Sequence, residues 1–354
     1  MVNIKTLGDK LYTKTRAEYY RIFNALYRSD KSEHLTIDSP ILIDTSMRTE
    51  NAGDFIIMHF AEKQLSGIWD NVNFERIPCH GISVKVKESQ KNKIKIVCGT
   101  NALSTCGDIN CRIALPTNPR LYEKSVELLA VGLSNLNIRK DINATTAAML
   151  KYILNDKYLH SVRDSSTERA LNRIGIHNVI NTSCVTMWNL TEDFCETIPR
   201  EKATDVLTAI TDYGFDAKLD EYMIATLKKH YRTVYLWIQG SEDLACLKKL
   251  SSIDDVKLVY GGFNGLEQFV AEHTDFDYFG TRLHCGIYCL NHGIRSMIVT
   301  IDNRAADIQV DTNIPAIERE RLPFDMERLI ENPRSTEIHI PEDNIIRWKR
   351  QFGY

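Results

Sequence analysis

Three arginines lie where side chains of this type could bind a small anion. Arg163, Arg282 and Arg304 each follow, directly or within a few residues, an apolar run typical of a buried strand. A guanidinium is permanently charged and forks onto two carboxylate or phosphate oxygens. Three of them converging would suit a small ligand that carries both groups. The alternative is that they are surface residues paired with neighbours such as Asp164 or Asp302.

A histidine accompanies the second of these arginines. His284 lies two residues after Arg282 and is the only side chain of that segment that titrates near pH 7. It could therefore act as a general acid or base at neutral pH. A lone histidine is more often structural, and this reading is kept for the other histidines, although His273 and His292 flank the same segment.

Three shorter polar side chains complete the candidate set. Asn51 and Asp54 belong to an Asn-Ala-Gly-Asp run that is typical of a helix N-terminus, and a plain cap without a ligand is an equal alternative. Asn101 follows a further strand-like run. The chain has no dinucleotide-binding glycine pattern, no Walker lysine and no Ser or Cys nucleophile elbow, so those classes of site are not predicted.

Short apolar runs alternate with helical patterns along the chain, and this alternation predicts the fold. Residues 41–43, 94–98 and 276–279 are typical of buried strands. Strands that alternate with helices favour parallel sheets with right-handed crossovers. In such sheets ligands bind beyond the carboxyl ends of the strands, which is where the candidate residues lie.

The pattern restarts after about residue 195, which predicts an α/β protein with two Rossmann-like domains. A chain of 354 residues is also longer than the ~250–300 residues at which single cores stop growing. The predicted N-terminal domain covers residues 1–195 and contributes Arg163. The predicted C-terminal domain covers residues 196–325, and residues 326–354 form a tail that packs back on the fold.

Local sequence signals predict two helix starts. Residues 165–168 read Ser-Ser-Thr-Glu, the pattern of a capping box in which Ser165 and Glu168 satisfy each other's backbone N–H groups. Ser241 is predicted to cap a second helix, in which three leucines share one side.

Composition limits the class of partner and the compartment. The net charge of -3 gives no overall field to recruit nucleic acid. The nine cysteines lack zinc or redox spacing and are read as buried thiols in a reducing compartment. No run approaches the ~18 apolar residues of a membrane span, so we expect a cytoplasmic protein. The basic and aromatic residues 346–352 favour a helix docked on its own protein over a peripheral contact with the inner face of the membrane.

The polar segments resemble those of the polysaccharide pyruvyl transferase family. The most specific is Gly-Thr-Arg-Leu-His at 280–284, with Asp-Asn-Arg at 302–304 downstream. Val-Arg-Asp at 162–164 is the next most specific, and Asn-Ala-Gly-Asp at 51–54 matches an early element of the family. Together the resemblance covers roughly residues 40–305.

The resemblance implies a GT-B-like fold, with two Rossmann-like domains that face a cleft, and a site without a metal. It implies phosphoenolpyruvate as co-substrate with no other cofactor. The implied acceptor is a sugar hydroxyl pair on a polysaccharide, its lipid-linked precursor or another glycan. The products would be a cyclic pyruvate ketal and phosphate. Cys285 departs from the family, which often has Gly or a small residue there.

The resemblance also implies a role for each candidate residue. The C-terminal domain is then the donor side, and His284 is the general acid or base. The predicted donor-binding residues are Arg163, Arg282, Leu283, Asn303 and Arg304. The acceptor contacts are expected mainly from the N-terminal domain, at Asn51, Asp54 and Asn101.

Two other functions stay open at this point. A nucleotide-sugar glycosyltransferase of the same architecture would need a carboxylate that grips the donor ribose near the end of the second domain. A non-catalytic glycan- or anion-binding protein would bind without releasing phosphate. The set of three arginines and a histidine argues against the second of these.

Overall fold

The computed structural model describes residues 35–70, 72–80, 86–105, 119–134 and 141–354, apart from the side chains of Pro119 and Asn303. The structural statements below concern these residues. Their contacts divide the chain into two compact units. Unit 1 comprises residues 35–49, 57–185 and 341–354, and unit 2 comprises residues 50–56 and 186–340.

Strands and helices alternate through both units. The strands are β1 (Thr36–Asp44), β2 (Glu75–Pro78), β3 (Lys93–Cys98), β4 (Leu103–Ser104), β5 (Val126–Leu129), β6 (Leu133–Ser134), β7 (His160–Val162), β8 (Val179–Asn181), β9 (Asp205–Thr208), β10 (Val234–Trp237), β11 (Lys257–Val259), β12 (Phe276–Gly280), β13 (Ser296–Thr300) and β14 (Ala316–Glu318). The helices are α1 (Ala52–Ser66), α2 (Ala144–Ile153), α3 (Ser165–Arg173), α4 (Glu192–Glu196), α5 (Ala217–His230), α6 (Asp243–Leu247), α7 (Gly262–Glu272), α8 (Leu283–Asn291), α9 (Asn303–Thr312), α10 (Leu322–Glu331) and α11 (Glu342–Arg350).

A parallel sheet in the order β2-β1-β3-β5 forms the centre of unit 1. Ile41, Leu42 and Ile43 of β1 are almost fully buried, as expected for a strand covered on both faces. A parallel bridge between Val131 and Val162 continues from β5 to the pair β7–β8. Counted in chain order, the four sheet strands run 2-1-3-4, as in one of the two common doubly wound arrangements.

Unit 2 is built on a six-stranded parallel sheet in the order β11-β10-β9-β12-β13-β14. Counted in chain order this is 3-2-1-4-5-6, the strand order of the Rossmann fold. The order reverses between β9 and β12, and ligands of such sheets bind where the reversal occurs. The two parallel sheets confirm the predicted α/β class.

The predicted helix starts need two corrections. The N-cap of α3 is Asp164, whose side chain accepts from Thr167 N–H at 2.7 Å, so Ser165 is already inside the helix. Ser241 does not cap α6, because its hydroxyl donates to Glu50 at 2.8 Å and the residue before the helix is Glu242. At α3 an aspartate takes the cap position directly before the predicted serine, whereas Glu242 before α6 makes no side-chain cap hydrogen bond.

The structure divides the chain differently from the predicted boundary at residues 195 and 196. Residues 186–195 group with unit 2, where Asn291 donates to the Thr186 carbonyl at 2.9 Å. Residues 326–340 also group with unit 2, because Arg295 donates to carbonyl oxygens that follow α10 or lie in its last turn. These contacts join segments distant in sequence, which an apolar pattern does not reveal.

Residues 341–354 group with unit 1, and α11 packs there through its aromatic side chains. Trp348 is fully buried. The Phe352 ring lies 5.1 Å from that of Trp69 and 5.2 Å from that of Tyr158. Among the helices that the structure describes, none has the length and apolar composition needed to span a bilayer.

Candidate active site in unit 2

The carboxyl ends of β9 and β12 meet closely at the point where the strand order of unit 2 reverses. Thr281 N–H donates to the Ala209 carbonyl at 2.9 Å, and the hydroxyls of Thr211 and Thr281 are 2.9 Å apart. A Cβ on Gly280 would lie 2.7 Å from Ala209 N, so this approach requires glycine. Polar residues that follow the four neighbouring strands β10, β9, β12 and β13 therefore surround one point.

Arg282 is held firmly at this point by three protein oxygens. Its Nε donates to the Ile210 carbonyl at 2.8 Å, and its Nη2 donates to Asp212 at 2.9 Å and to Asp243. The side chain is only 6% exposed. Its charge is thus compensated within unit 2, and Nη1 is the nitrogen without a partner among the described residues. The sequence predicted that Arg282 binds a ligand, but it did not indicate that protein oxygens already hold this side chain in place.

The backbone at the start of α8 is fixed by a buried tyrosine. The Tyr278 hydroxyl donates to the Arg282 carbonyl at 2.8 Å and accepts from Arg282 N–H at 3.1 Å. Burial raises the pKa of this hydroxyl, so it remains a donor across the physiological pH range. Arg282 itself supplies no side-chain cap to the helix. The first turn therefore begins with Leu283 and His284 at the wall of the pocket.

Arg304 is paired with the residue that caps its own helix. Its Nε and Nη2 donate to Asp302 Oδ2 at 2.9 and 2.6 Å, while Asp302 Oδ1 accepts from Arg304 N–H at 2.9 Å. The Tyr213 ring lies 5.2 Å from the Arg304 guanidinium carbon, and its hydroxyl donates to Asp302 at 3.3 Å. The arginine and aspartate side chains are 20% and 26% exposed. This pair is therefore much more accessible than the one at Arg282.

His284 lies beside the N-terminus of α1. A Cβ on Gly53 would be 3.5 Å from His284 Nδ1, 3.5 Å from Gln239 Nε2 and 3.2 Å from Asn51 Oδ1. Asn51 caps α1 by accepting from Gly53 N–H at 3.1 Å, and it also accepts from the Gln239 side chain. Asn51 Nδ2 in turn donates to Asp54 at 3.3 Å. The early Asn-Ala-Gly-Asp element thus belongs to the same pocket as the histidine.

The pocket encloses about 390 Å³ of space, including its open mouth, and its wall is mostly polar. Its lining residues include Asn51, Tyr213, Gln239, Arg282, Leu283, His284, Asp302 and Arg304. Cys285 follows the histidine but is fully buried, and burial raises the pKa of its thiol. The site therefore offers a histidine and two arginines, but no thiolate nucleophile at that position.

Unit 1 carries a second polar group at its own strand ends. Arg163 follows β7 and is 1% exposed, and its Nη2 donates to Asp164 at 3.2 Å. Among the described residues, Nε and Nη1 of Arg163 and Oδ1 of Asn101 have no hydrogen-bond partner. A Cβ on Gly132 would lie 2.5 Å from both Arg163 Nη2 and Asn101 Oδ1. Because unpaired buried polar groups are costly, these side chains are candidates for binding a ligand.

The structure groups the predicted residues differently from the division into a donor side and an acceptor side. Asn51 and Asp54, predicted as acceptor contacts of the first domain, lie in unit 2 with His284. Asn101 was also predicted to contact the acceptor, but its side chain lies beside Gly132 together with that of Arg163, which was predicted to bind the donor. The reason is that contacts distant in sequence decide which strand ends meet. The side chain of Asn303 lies outside the described residues.

The alternative reading of the arginines was half right. Arg163 and Arg304 do pair with Asp164 and Asp302, but neither lies on the open surface. Four further polar residues of the site were not predicted: Tyr213 and Gln239, which line the pocket, and Asp212 and Asp243, which accept from Arg282. A signal for them existed, because they follow the strand-like runs at residues 206–210 and 233–238, and ligands of parallel sheets bind beyond the carboxyl ends of the strands.

Comparison with known proteins assigns the chain to a family. The profile of the polysaccharide pyruvyl transferase family matches residues 51–303, well over half of the chain, and the chain belongs to this family. Membership supports pyruvyl transfer in general, with a sugar or glycan acceptor. No curated protein sequence matches the chain.

Two solved structures show a distant similarity. One is Methanocaldococcus jannaschii UDP-GlcNAc 2-epimerase in complex with UDP-GlcNAc and UDP, at 10% identity and a TM-score of 0.45, covering 85% of this chain and 80% of that chain. The other is an S. aureus MnaA–UDP complex, at 9% identity and a TM-score of 0.42, covering 88% of this chain and 94% of that chain. Similarity at this level gives no information about the ligand of this protein.

Proposed function

We propose that the protein transfers the pyruvyl group of phosphoenolpyruvate to two hydroxyls of a sugar and releases phosphate. Family membership supports pyruvyl transfer, and the proposal adds the donor and the cyclic ketal product. The observation that carries it is the position of His284 on the first turn of α8, in one pocket with Arg282 and Arg304. A titratable group beside two cations suits proton transfer to and from an anionic substrate.

The reaction requires two proton movements that one histidine can serve. Protonation of the methylene carbon of phosphoenolpyruvate makes the methyl group and an oxocarbenium-like carbon. The first sugar hydroxyl attacks that carbon and loses its proton. The carbon–oxygen bond to phosphate then breaks, and the second hydroxyl closes the ring. One hydroxyl proton thus replaces the proton spent on the methyl group, and the other leaves with phosphate.

The arginines would have different tasks in this reaction. Arg282 is fixed by Asp212 and Asp243, so it offers Nη1 and a positive wall without moving. Arg304 is held by a more exposed carboxylate, so it can turn towards a ligand. In unit 1, the unpaired nitrogens of Arg163 are suited to a carboxylate or phosphate oxygen. No metal is needed for these steps, and a metal-free site stays a prediction.

A direct assay tests the proposed function. Phosphate release from phosphoenolpyruvate would be measured with a panel of free and lipid-linked sugar acceptors, and a ketal would be identified by its methyl signal in NMR. Wild-type protein is expected to release phosphate only when a suitable diol is present. Calorimetry would show whether phosphoenolpyruvate binds in the absence of any acceptor. No binding and no release with any acceptor would contradict the proposal.

A further inference from the structure

The pair of Asp302 and Arg304 occupies the guanidinium edge that an anionic ligand would use. A single oxygen of Asp302 accepts from both Nε and Nη2 of Arg304. An incoming phosphate or carboxylate oxygen forms the same kind of hydrogen bonds with arginine. The aspartate is thus chemically equivalent to the anion that the pocket is proposed to bind.

Tyr213 keeps this pair in place. Its ring lies 5.2 Å from the Arg304 guanidinium carbon, a distance typical of a cation–π contact. Its hydroxyl donates to the carboxylate of Asp302, the other member of the pair. The ring is 60% exposed, so the arrangement lies at the mouth of the pocket. All three side chains belong to unit 2 and line the same wall.

The two arginines of the pocket differ in how easily a ligand can replace their carboxylate. Asp243 is fully buried and also accepts from two backbone N–H groups, at 2.9 and 3.1 Å, so it cannot leave Arg282. Asp302 is 26% exposed, and its other oxygen stays bound to the backbone as the helix cap. Exchange of partners at Arg304 therefore costs little free energy, since ion pairs that water can reach contribute little to stability.

We propose that Asp302 is a specificity-determining residue that competes with the ligand for Arg304. A dianionic phosphate displaces the carboxylate of Asp302, while a ligand with a single carboxylate charge does not gain enough to do so. The site discriminates between the two ligands because a singly charged carboxylate must replace the Asp302 carboxylate, which binds Arg304 equally well. The inference rests on the proposed function only in identifying the phosphate of phosphoenolpyruvate as the natural anion.

The test compares the binding of three probes at fixed ionic strength. Isothermal titration calorimetry would measure inorganic phosphate, phosphoenolpyruvate and pyruvate with wild-type protein and with Asp302→Asn. Asparagine caps helices as well as aspartate does, so α9 should keep its start while the competing charge is lost. We expect phosphate and phosphoenolpyruvate to bind about threefold to tenfold more tightly and pyruvate to gain by a larger factor than either, so that discrimination decreases.

A matched control separates competition from a general change in charge. Asp325→Asn removes one carboxylate from unit 2 that also pairs with arginines and is 20% exposed, but that does not line the pocket. It should leave all three affinities unchanged. If Asp302→Asn is poorly folded in a thermal melt, Asp302→Ser provides a second capping residue without charge.

The outcomes distinguish this inference from the proposed function. Unchanged or weaker phosphate binding in the folded Asp302 variants overturns the inference, even if the wild type binds phosphoenolpyruvate and turns it over. Tighter phosphate binding without any affinity for phosphoenolpyruvate would uphold the inference and contradict the proposed function. If neither the wild type nor the variants bind any probe, the pocket is not an anion site and the inference is wrong.

Discussion

Asp243 holds Arg282 and the end of a neighbouring strand with one buried carboxylate. One oxygen accepts from Arg282 Nη2, and the other accepts from the backbone N–H groups of Gln239 and Gly240, which follow β10. The Gln239 side chain then donates to Asn51, the cap of α1. A chain of hydrogen bonds therefore connects Arg282 to the residues that surround His284.

Removal of the Asp243 charge should be costly. Asp243→Asn preserves the shape but leaves Arg282 with only the more exposed Asp212 as a counter-charge, and breaking a buried pair typically costs about 3–5 kcal/mol. The free energy of unfolding from urea denaturation measures this. Asp212→Asn, at 32% exposure, should cost about 1 kcal/mol or less. Equal costs for the two variants would contradict the assignment of Asp243 as the principal partner.

Loss of His284 should affect turnover and not donor binding. His284→Ala removes the general acid or base, which is expected to lower the rate of phosphate release by about 10²–10⁴-fold. Binding of phosphoenolpyruvate by calorimetry should change little, because the arginines remain. His177→Ala is a suitable control, since this exposed histidine is bonded to Asn172 in unit 1. A His284→Ala variant with wild-type turnover would exclude the proposed role.

Gly132 should be intolerant of even a methyl group. Gly132→Ala places Cβ 2.5 Å from Arg163 Nη2 and from Asn101 Oδ1, so the guanidinium must move. A displacement of about 1 Å in a catalytic arrangement lowers the rate by about 10²-fold. Steady-state kinetics and a thermal melt would be measured together. Gly67→Ala, whose nearest atoms would lie at 3.5 and 3.9 Å, is the control. Full activity of Gly132→Ala would show that the position of Arg163 is unimportant.

Asp220 should make the stability of the protein depend on pH between about 4 and 6. Burial raises the pKa of this carboxyl to about 6, against a partial opposing effect of Arg319. The native state therefore holds a proton that the unfolded chain has already lost. The stabilisation is complete below about pH 3.8 and is lost as pH rises through about 6, by up to about 3 kcal/mol.

A variant isolates this contribution from that of other carboxyls. Asp220→Asn cannot titrate, so the difference in unfolding free energy between wild type and variant should shift in favour of the variant as pH rises from 4 to 7. Urea denaturation at several pH values within that range measures the difference. A constant difference would show that Asp220 ionises normally in the folded protein.

Much of the candidate site followed from local sequence, because strand ends can be read from apolar runs. Arg282, His284 and Arg304 were predicted from their positions after such runs, and the structure brings these three side chains into one pocket. Strand β2 was not predicted, since Glu75-Arg76-Ile77-Pro78 is mostly polar and ends in proline, as an edge strand can. The strand forms because it pairs with β1, a contact that its own sequence does not indicate.

The neighbours of the histidine could not be predicted from local sequence. Asn51 and Gln239 are 188 positions apart in the sequence, and their hydrogen bond depends on residues 50–56, which include the start of α1, belonging to unit 2. Likewise, only the structure shows that Arg282 donates hydrogen bonds to Asp212 and Asp243. Sequence indicated which groups are present but not which of them neutralise each other.

The helix α11 has a consequence for how the protein is made. Its buried Trp348 belongs to the core of unit 1, yet it is translated after all of unit 2. Domains usually fold in order as they leave the ribosome. Here unit 2 can be complete while unit 1 still lacks a piece of its core. Residues 341–354 therefore complete the core of unit 1 only after residues 186–340 of unit 2 have been synthesised.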